Sequence, residues 1–258
     1  MKIGYPDNPV SETLSLFSDS YLVSAYADIN KFDISAVELH FQAFTELDKT
    51  EKIKEYVDKL NLEIVMHMPF LEIDGKEFNH LLPVKVSGIE HCKKAEEEDL
   101  RKAIKLCSEL KIKFLTMHAS TARIFLTDEE FDIFKDKIRI LNDFAEENNV
   151  KLSIETGGLK IKQLEELMEI GLFITLDTAH LVLDLIEQDV EKPNEAAFDF
   201  FRENQDKIHV LHLSQTISGK DSHLNINEQG IITINKKLID YSKDLDKTII
   251  FEFKSKDL

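Results

Sequence analysis

Six times along this chain a short apolar run ends on a side chain that can ligate a metal or carry a proton. The runs are Leu62 to Met66 before His67, Lys113 to Met117 before His118, and Lys151 to Ile154 before Glu155. They continue with Leu172 to Leu176 before Asp177, Ile208 to Leu211 before His212, and Thr248 to Phe251 before Glu252. Taken singly, a strand-end His is usually a hydrogen-bonded loop residue, and a strand-end carboxylate is usually a cap or a surface group. Six in succession, separated by helix-like stretches, put polar donors at one end of a parallel sheet. Three more donors lie close by: His180 follows Asp177 by three residues, and Asp221 and His223 form Asp-Ser-His. Five of the nine histidines fall in these few positions, which a wholly structural account would have to treat as coincidence. Imidazole and carboxylate donors without thiolate suit Zn²⁺, Mn²⁺, Co²⁺ or Fe²⁺ rather than a structural thiolate zinc site.

Something must hold these donors at one level. Lys2 to Tyr5 reads as a first strand and Ala36 to Leu39, ending at His40, as a second, so the six runs bring the total to eight. Helical periodicity fills the intervals. Cys92, Ala95, Leu100, Ala103, Ile104, Cys107 and Leu110 make one apolar stripe, and Phe131, Phe134, Ile138, Leu141 and Ala145 another. Thr127 with Glu130 is a capping-box signature at the start of the second. Eight strands alternating with helices predict an α/β fold, a (β/α)8 barrel, and 258 residues is close to the typical length of one. An open doubly wound sheet usually carries a Gly-rich first turn, and Gly4-Tyr5-Pro6-Asp7 is not one. Gly and Pro number 8 and 5 and no linker divides the chain, so residues 1–258 are expected to form a single domain. Six residues follow Glu252, from which the last outer helix is expected to be missing or shortened.

Composition narrows the partners. The formal charge of -17 opposes nonspecific attraction to phosphate backbones and anionic membranes. Cys92 and Cys107 lie fifteen residues apart on one expected helix, too far for a disulfide, and read as reduced packing residues. No apolar stretch approaches a membrane span and the N-terminus lacks signal-peptide form, so the expected location is cytoplasmic. His80, His91 and His209 take structural readings, His209 facing away from the side of Val210, and Glu96 to Asp99 reads as a solvated helix face. His40 and Lys220 are candidates for contacting a substrate, Lys220 through a phosphate or carboxylate.

The motifs in order resemble those of the xylose-isomerase-like barrel superfamily. They are Met-His67-Met-Pro-Phe, Met-His118-Ala-Ser, Ile-Glu155-Thr-Gly-Gly, Leu-Asp177-Thr-Ala-His180, Leu-His212-Leu-Ser, Asp221-Ser-His223 and Glu252, and the resemblance runs from about residue 2 to residue 253. That superfamily includes sugar and sugar-phosphate isomerases and epimerases as well as endonuclease IV, the second family of apurinic/apyrimidinic endonucleases. For the sugar enzymes the resemblance implies one divalent ion, often Mn²⁺, on Glu155, Asp177, His212 and Glu252. Glu155 and Glu252 would then exchange a proton with the substrate while His180 orients it. For the nuclease it implies three zinc ions on all nine donors, His67, His118, His180, Asp221 and His223 included.

The branch point is not decided by the donor count. Val37-Glu38-Leu39 on the second strand is more like the sugar-enzyme branch than the Arg and aromatic DNA-penetrating loop of the nuclease. The third loop, Leu71 to Gly88, supplies only Lys76 and Lys85 as phosphate-contacting cations. Two departures from the family pattern weigh on both readings: Phe253-Lys254 follows Glu252 where Thr-Pro or a similar turn is common in the nuclease, and Ser214-Gln215 lacks the Asp often found after the seventh strand's His. The expectation is therefore a small sugar or sugar phosphate as partner, with nucleic acid disfavoured and a metal content of one to three ions.

Overall fold

A computed structural model of the chain describes residues 2–6, 36–40, 63–68, 71–73, 76–78, 85–86, 89–90, 93–120, 124–217 and 220–252. The strands in chain order are β1 (Lys2–Pro6), β2 (Ala36–His40), β3 (Glu63–Met68), β4 (Leu71–Ile73), β5 (Lys76–Phe78), β6 (Lys85–Val86) and β7 (Ile89–Glu90). They continue with β8 (Phe114–His118), β9 (Lys151–Glu155), β10 (Phe173–Asp177), β11 (Ile208–Leu213), β12 (Gln215–Ile217), β13 (Lys220–Leu224) and β14 (Thr248–Phe251). The described helices are α1 (Lys93–Glu109), α2 (Asp128–Glu147), α3 (Ile161–Glu169), α4 (Thr178–Glu187), α5 (Pro193–Glu203) and α6 (Asn235–Ser242).

Eight strands close a barrel in the order β1-β14-β11-β10-β9-β8-β3-β2, every neighbouring pair parallel. Each of the six donor-terminated runs is one of these strands. The period-2 alternation of a strand sends successive side chains to opposite faces, and burial separates the two sets. Ile64, Met66, Leu115, Met117, Leu152, Ile154, Ile174, Leu176, Leu211 and Ile249 join the large core shared with the helices. Val65, Phe114, Val210 and Ile250 form a separate cluster that fills the bore, with Phe173 against it. Above them Thr116, Ser153 and Thr175 pair hydroxyl to hydroxyl at 2.9 and 2.7 Å, which satisfies three buried polar groups.

The helices follow from the stripes. Leu100, Ala103, Ile104 and Cys107 of α1 and Phe131, Phe134, Ile138, Leu141 and Ala145 of α2 are all buried. The capping box forms as expected: Thr127 Oγ1 accepts from the Glu130 amide at 3.2 Å, and the Thr127 amide donates to Glu130 Oε2 at 2.9 Å. Glu98 is exposed and Glu97 and Asp99 pair with Arg101 and Lys102, a solvated face. Cys107 is a free, buried cysteine, and burial pushes its thiol pKa well up; Cys92, His80 and His91 lie outside the described residues. Among the described residues no helix is long and apolar enough to cross a membrane. Residues 253–258, on which the shortened final helix was expected, also lie outside the description.

Two local features differ from the strand-and-helix reading. Small antiparallel hairpins, β4-β5, β6-β7 and β12-β13, occupy stretches that read as loops because five of their strands are only two or three residues long and the sixth, Lys220–Leu224, is mostly polar. His209 does not turn away from the side of Val210: its ring stacks on Phe114 at 4.1 Å, and Phe114 shares the bore cluster with Val210. The cause is a register shift, in which Ile174 pairs with Ile208 but Thr175 with Val210, leaving His209 as the extra residue of a bulge.

The packing of α2 on the barrel predicts that Phe134→Ala, at a side chain with no exposed surface, costs about 3–5 kcal/mol through transfer and cavity terms. Urea denaturation followed by far-UV circular dichroism measures it, and Ile140→Ala, 55% exposed on the same helix, is the comparison expected to change little.

Candidate metal centre

Glu155, at the last position of β9, is the middle of the arrangement. Its Oε2 lies 2.8 Å from His67 Nε2, 3.4 Å from His118 Nε2 and 3.5 Å from His212 Nδ1, while Oε1 lies 3.2 Å from His180 Nδ1. Four imidazoles from three strands and one helix thus face one carboxylate. Register explains the convergence, since His118 pairs with Glu155 and Asp177 with His212 at the ends of adjacent strands. Glu252 follows β14 directly; its amide donates to the Leu213 carbonyl at 3.1 Å and its Oε1 lies 3.2 Å from His212 Nδ1.

Asp177 serves two purposes with two oxygens. It is the N-cap of α4, and its Oδ1 accepts from the His180 amide at 2.6 Å, so the three-residue spacing of the pair is helix-cap geometry. Its Oδ2 is buried and has no hydrogen-bond partner among the described residues. The cap reading and the ligand reading of this aspartate are therefore compatible. Thr156 braces the same corner, its hydroxyl accepting from the Asp177 amide and donating to the Asp177 carbonyl, both at 2.9 Å. The Thr156 carbonyl accepts from His180 Nδ1–H at 3.0 Å. Gly158 adopts φ +67°, which glycine tolerates without strain. Its amide donates to the buried Asp184 Oδ2 at 2.6 Å, tying the loop after β9 to α4.

The charges are set by neighbours as much as by burial. Burial opposes ionisation of Glu155, but the neighbouring His118 and His212 and hydrogen bonds from His180 and His212 outweigh it and hold its pKa well below the usual range. His118 is lowered to about 3, first by burial and then by the neighbouring His67, His180 and His212, against the pull of Glu155. His212 goes the other way: burial lowers it, yet Glu252, Glu38 and Glu155 together raise it well above 6.5. His67 is raised too, burial being outweighed by its hydrogen bond to Glu155 and the fields of Glu38 and Glu155.

Two donor groups have the compactness a cation needs, each with ligand atoms within 4.8 Å of one another: Glu155, Asp177, His212 and Glu252, and His67, His118 and Glu155. The donor chemistry fits a divalent ion. Mixed nitrogen and oxygen donors suit Zn²⁺ or Mn²⁺, and a cation would satisfy Asp177 Oδ2 and His212 Nδ1, both buried without a well-aligned hydrogen bond. The side chains of His40, Lys220, Asp221 and His223 lie outside the described residues, although their backbones fall in β2 and β13. Composition and strand-end pattern passed over Glu38. It has no exposed surface and bonds His212 Nε2 at 3.0 Å. The available signal was a lone carboxylate in the middle of an apolar strand, costly there unless paired.

A closed parallel barrel with imidazole and carboxylate donors at the ends of its strands defines a class of α/β-barrel proteins whose mouth could hold a metal ion. Residues 26–253 match the xylose isomerase-like TIM barrel family, and the chain belongs to it. Among solved structures it is similar to a D-tagatose 3-epimerase-like protein, with 22% identity, a TM-score of 0.68, and coverage of 98% of this chain and 91% of that one. An L-ribulose 3-epimerase gives 14% identity and TM-score 0.68, covering 100% and 83%. A D-allulose 3-epimerase from Methylomonas sp., solved with D-allulose, gives 15% identity and TM-score 0.64, covering 100% and 86%. These likenesses establish the shared fold. No curated protein matches the sequence.

The opposed shifts predict how the metal-free protein responds to pH. His118 is about 3 when folded against 6.5, so its contribution is complete above 6.5 and is lost as pH falls through that window. Glu155, depressed, adds a loss at still lower pH. The raised values of His67 and His212 give stability that is complete below 6.5 and lost as pH rises through their folded values. Melting temperature of chelator-treated protein should therefore peak at about pH 6.5, the ordinary histidine value, and His118→Asn should flatten the acid limb. A cation bound on Glu155, Asp177, His212 and Glu252 would have to displace the proton on His212, so Zn²⁺ affinity should rise with pH, with proton release measured by calorimetry in buffers of different ionisation enthalpy.

Proposed function

We propose that this chain is a metal-dependent sugar or sugar-phosphate isomerase or epimerase, a single-domain cytoplasmic enzyme. The observation that carries the reading is the compact, mostly buried group Glu155, Asp177, His212 and Glu252 at the barrel mouth, in a fold shared with structures of an L-ribulose 3-epimerase and of a D-allulose 3-epimerase solved with D-allulose. Those four residues would hold the ion, Mn²⁺ or Zn²⁺. A divalent cation there would polarise a sugar carbonyl and its neighbouring hydroxyl, making the adjacent C–H more acidic.

The chain's own groups supply the proton transfers. Glu155 and Glu252 approach His212 Nδ1 at 3.5 and 3.2 Å, so the two carboxylates stand at one place where a proton can leave a carbon and return. Glu252 is the more accessible, with 16% of its side chain exposed against 2% for Glu155. It is therefore the one that meets an entering substrate first. His180 Nδ1 lies 3.0 Å from the Thr156 carbonyl and 3.2 Å from Glu155 Oε1, contacts that hold its ring in place to orient a sugar hydroxyl. His40 and Lys220 remain candidates for holding the far end of the substrate. The charge of -17 supports a small-molecule substrate over nucleic acid.

A second reading has its own support. His67 and His118 form a second donor group that shares Glu155 with the first, and a carboxylate common to two groups can bridge two cations, an arrangement suited to phosphodiester hydrolysis. With Asp221 and His223 added, the nine donors would serve an endonuclease IV-like activity on abasic DNA.

The test is a panel of aldoses, ketoses and their phosphates incubated with Mn²⁺, Co²⁺, Mg²⁺ and Zn²⁺. Interconversion is expected for at least one member, and Glu155→Gln or Glu252→Gln should lower kcat by roughly 10²–10⁴-fold. A panel without turnover, together with chelator-sensitive cleavage of an abasic duplex, would replace this reading with the nuclease. Metal content separates them independently: about one ion per chain for the sugar enzyme, and about two to three for the hydrolase.

A further inference from the structure

Glu38 is placed to act on the site through His212. Both side chains are fully buried, and Glu38 Oε1 lies 3.0 Å from His212 Nε2. The opposite nitrogen, Nδ1, is the one that faces Glu252 and Glu155 and belongs to the four-donor group with Asp177. The two residues come from strands far apart in sequence, separated in the barrel by β1 and β14. Glu38 pairs in register with Val65, two positions before the donor His67, so it sits one inward layer below the donors.

We propose that Glu38 is the positioning residue of the metal centre, fixing the tautomer and orientation of His212 so that its Nδ1 lone pair is directed at the cation. An ionised carboxylate only accepts hydrogen bonds, so Nε2 must carry the hydrogen and the neutral ring must leave its lone pair on Nδ1. The same bond opposes a 180° turn about the Cβ–Cγ axis, which would put ring carbons where Nδ1 and Nε2 now stand. It also raises the basicity of the ligating nitrogen, as carboxylates behind metal-bound imidazoles do. A buried ion pair kept for stability alone would be a poor use of the position, because its desolvation cost offsets most of its Coulombic gain. The inference rests on the metal reading above.

The experiment measures Zn²⁺ affinity by competition with a chromophoric chelator, and the visible absorption of the Co²⁺-loaded protein, for wild type, Glu38→Gln and Glu38→Leu. Glu38→Gln preserves volume, and its amide oxygen still accepts from Nε2, so it should weaken Zn²⁺ binding by about 10-fold. Glu38→Leu removes the acceptor; its loss should approach 100-fold, the upper end for partners behind a ligand, and the Co²⁺ bands should shift. If Glu38→Leu does not fold, the expected loss in Glu38→Gln still decides. Zn²⁺ binding within about twofold of wild type in Glu38→Gln, outside the range for such partners, would overturn the proposal. Equal losses in both variants that track a lowered metal-free melting temperature would also overturn it, as a merely structural role. Wild-type protein that takes up neither Zn²⁺ nor Co²⁺ would instead overturn the metal reading on which it stands.

Discussion

A carboxylate with almost no exposed surface must be compensated, and at Glu155 the compensation comes from four imidazoles. Much of the upper half of the barrel can be understood from that requirement. Each histidine has to be held by something else if it is to face Glu155. His180 is held by a helix cap and the Thr156 carbonyl, His212 by Glu38 across the bore. The cluster contains more potential positive charge than one carboxylate can balance, so the histidines divide. His118 is kept neutral, while His67 and His212, which have carboxylates nearby, are favoured as cations in the absence of metal.

This division has a functional meaning under the proposed reading. The proton on His212 and a divalent ion compete for the same electron pair, and a site already holding ionised carboxylates loses little reorganisation energy when the exchange occurs. The lower bore supports this by being packed: Val65, Phe114, Val210 and Ile250 pack together below the donors, and the Thr116, Ser153 and Thr175 hydroxyls satisfy one another. A filled bore leaves the donors at the mouth as the place where polar side chains converge. Barrel enzymes in general carry their chemistry at this end of the strands.

Several layers of this organisation were legible in residue order. The six runs became six barrel strands with their donors at the last position or within one residue of it, because a buried strand must be apolar and a residue at the edge of the packed layer is free to be polar. The two helical stripes and the Thr127–Glu130 capping box were legible for the same local reason: 3.6-residue periodicity and cap chemistry act within a few residues. The short hairpins and the bulge at His209 were not, since each depends on pairing with another segment. Glu38 stood in plain view in Val37-Glu38-Leu39, but its significance lies 174 residues away.

Local order therefore determined which residue types could do chemistry and that each would end a strand. Only closure of the barrel decided who meets whom. Strand register and stagger put Glu155, rather than Asp177, among the four histidines, left Asp177 with one oxygen on the helix cap and one toward the donors, and brought Glu38 behind His212. The physical reason is that hydrogen-bonding periodicity is written in neighbours along the chain. The desolvation and pairing of charge depend on distances across a bore that exists only once β1 has closed onto β2 and β14.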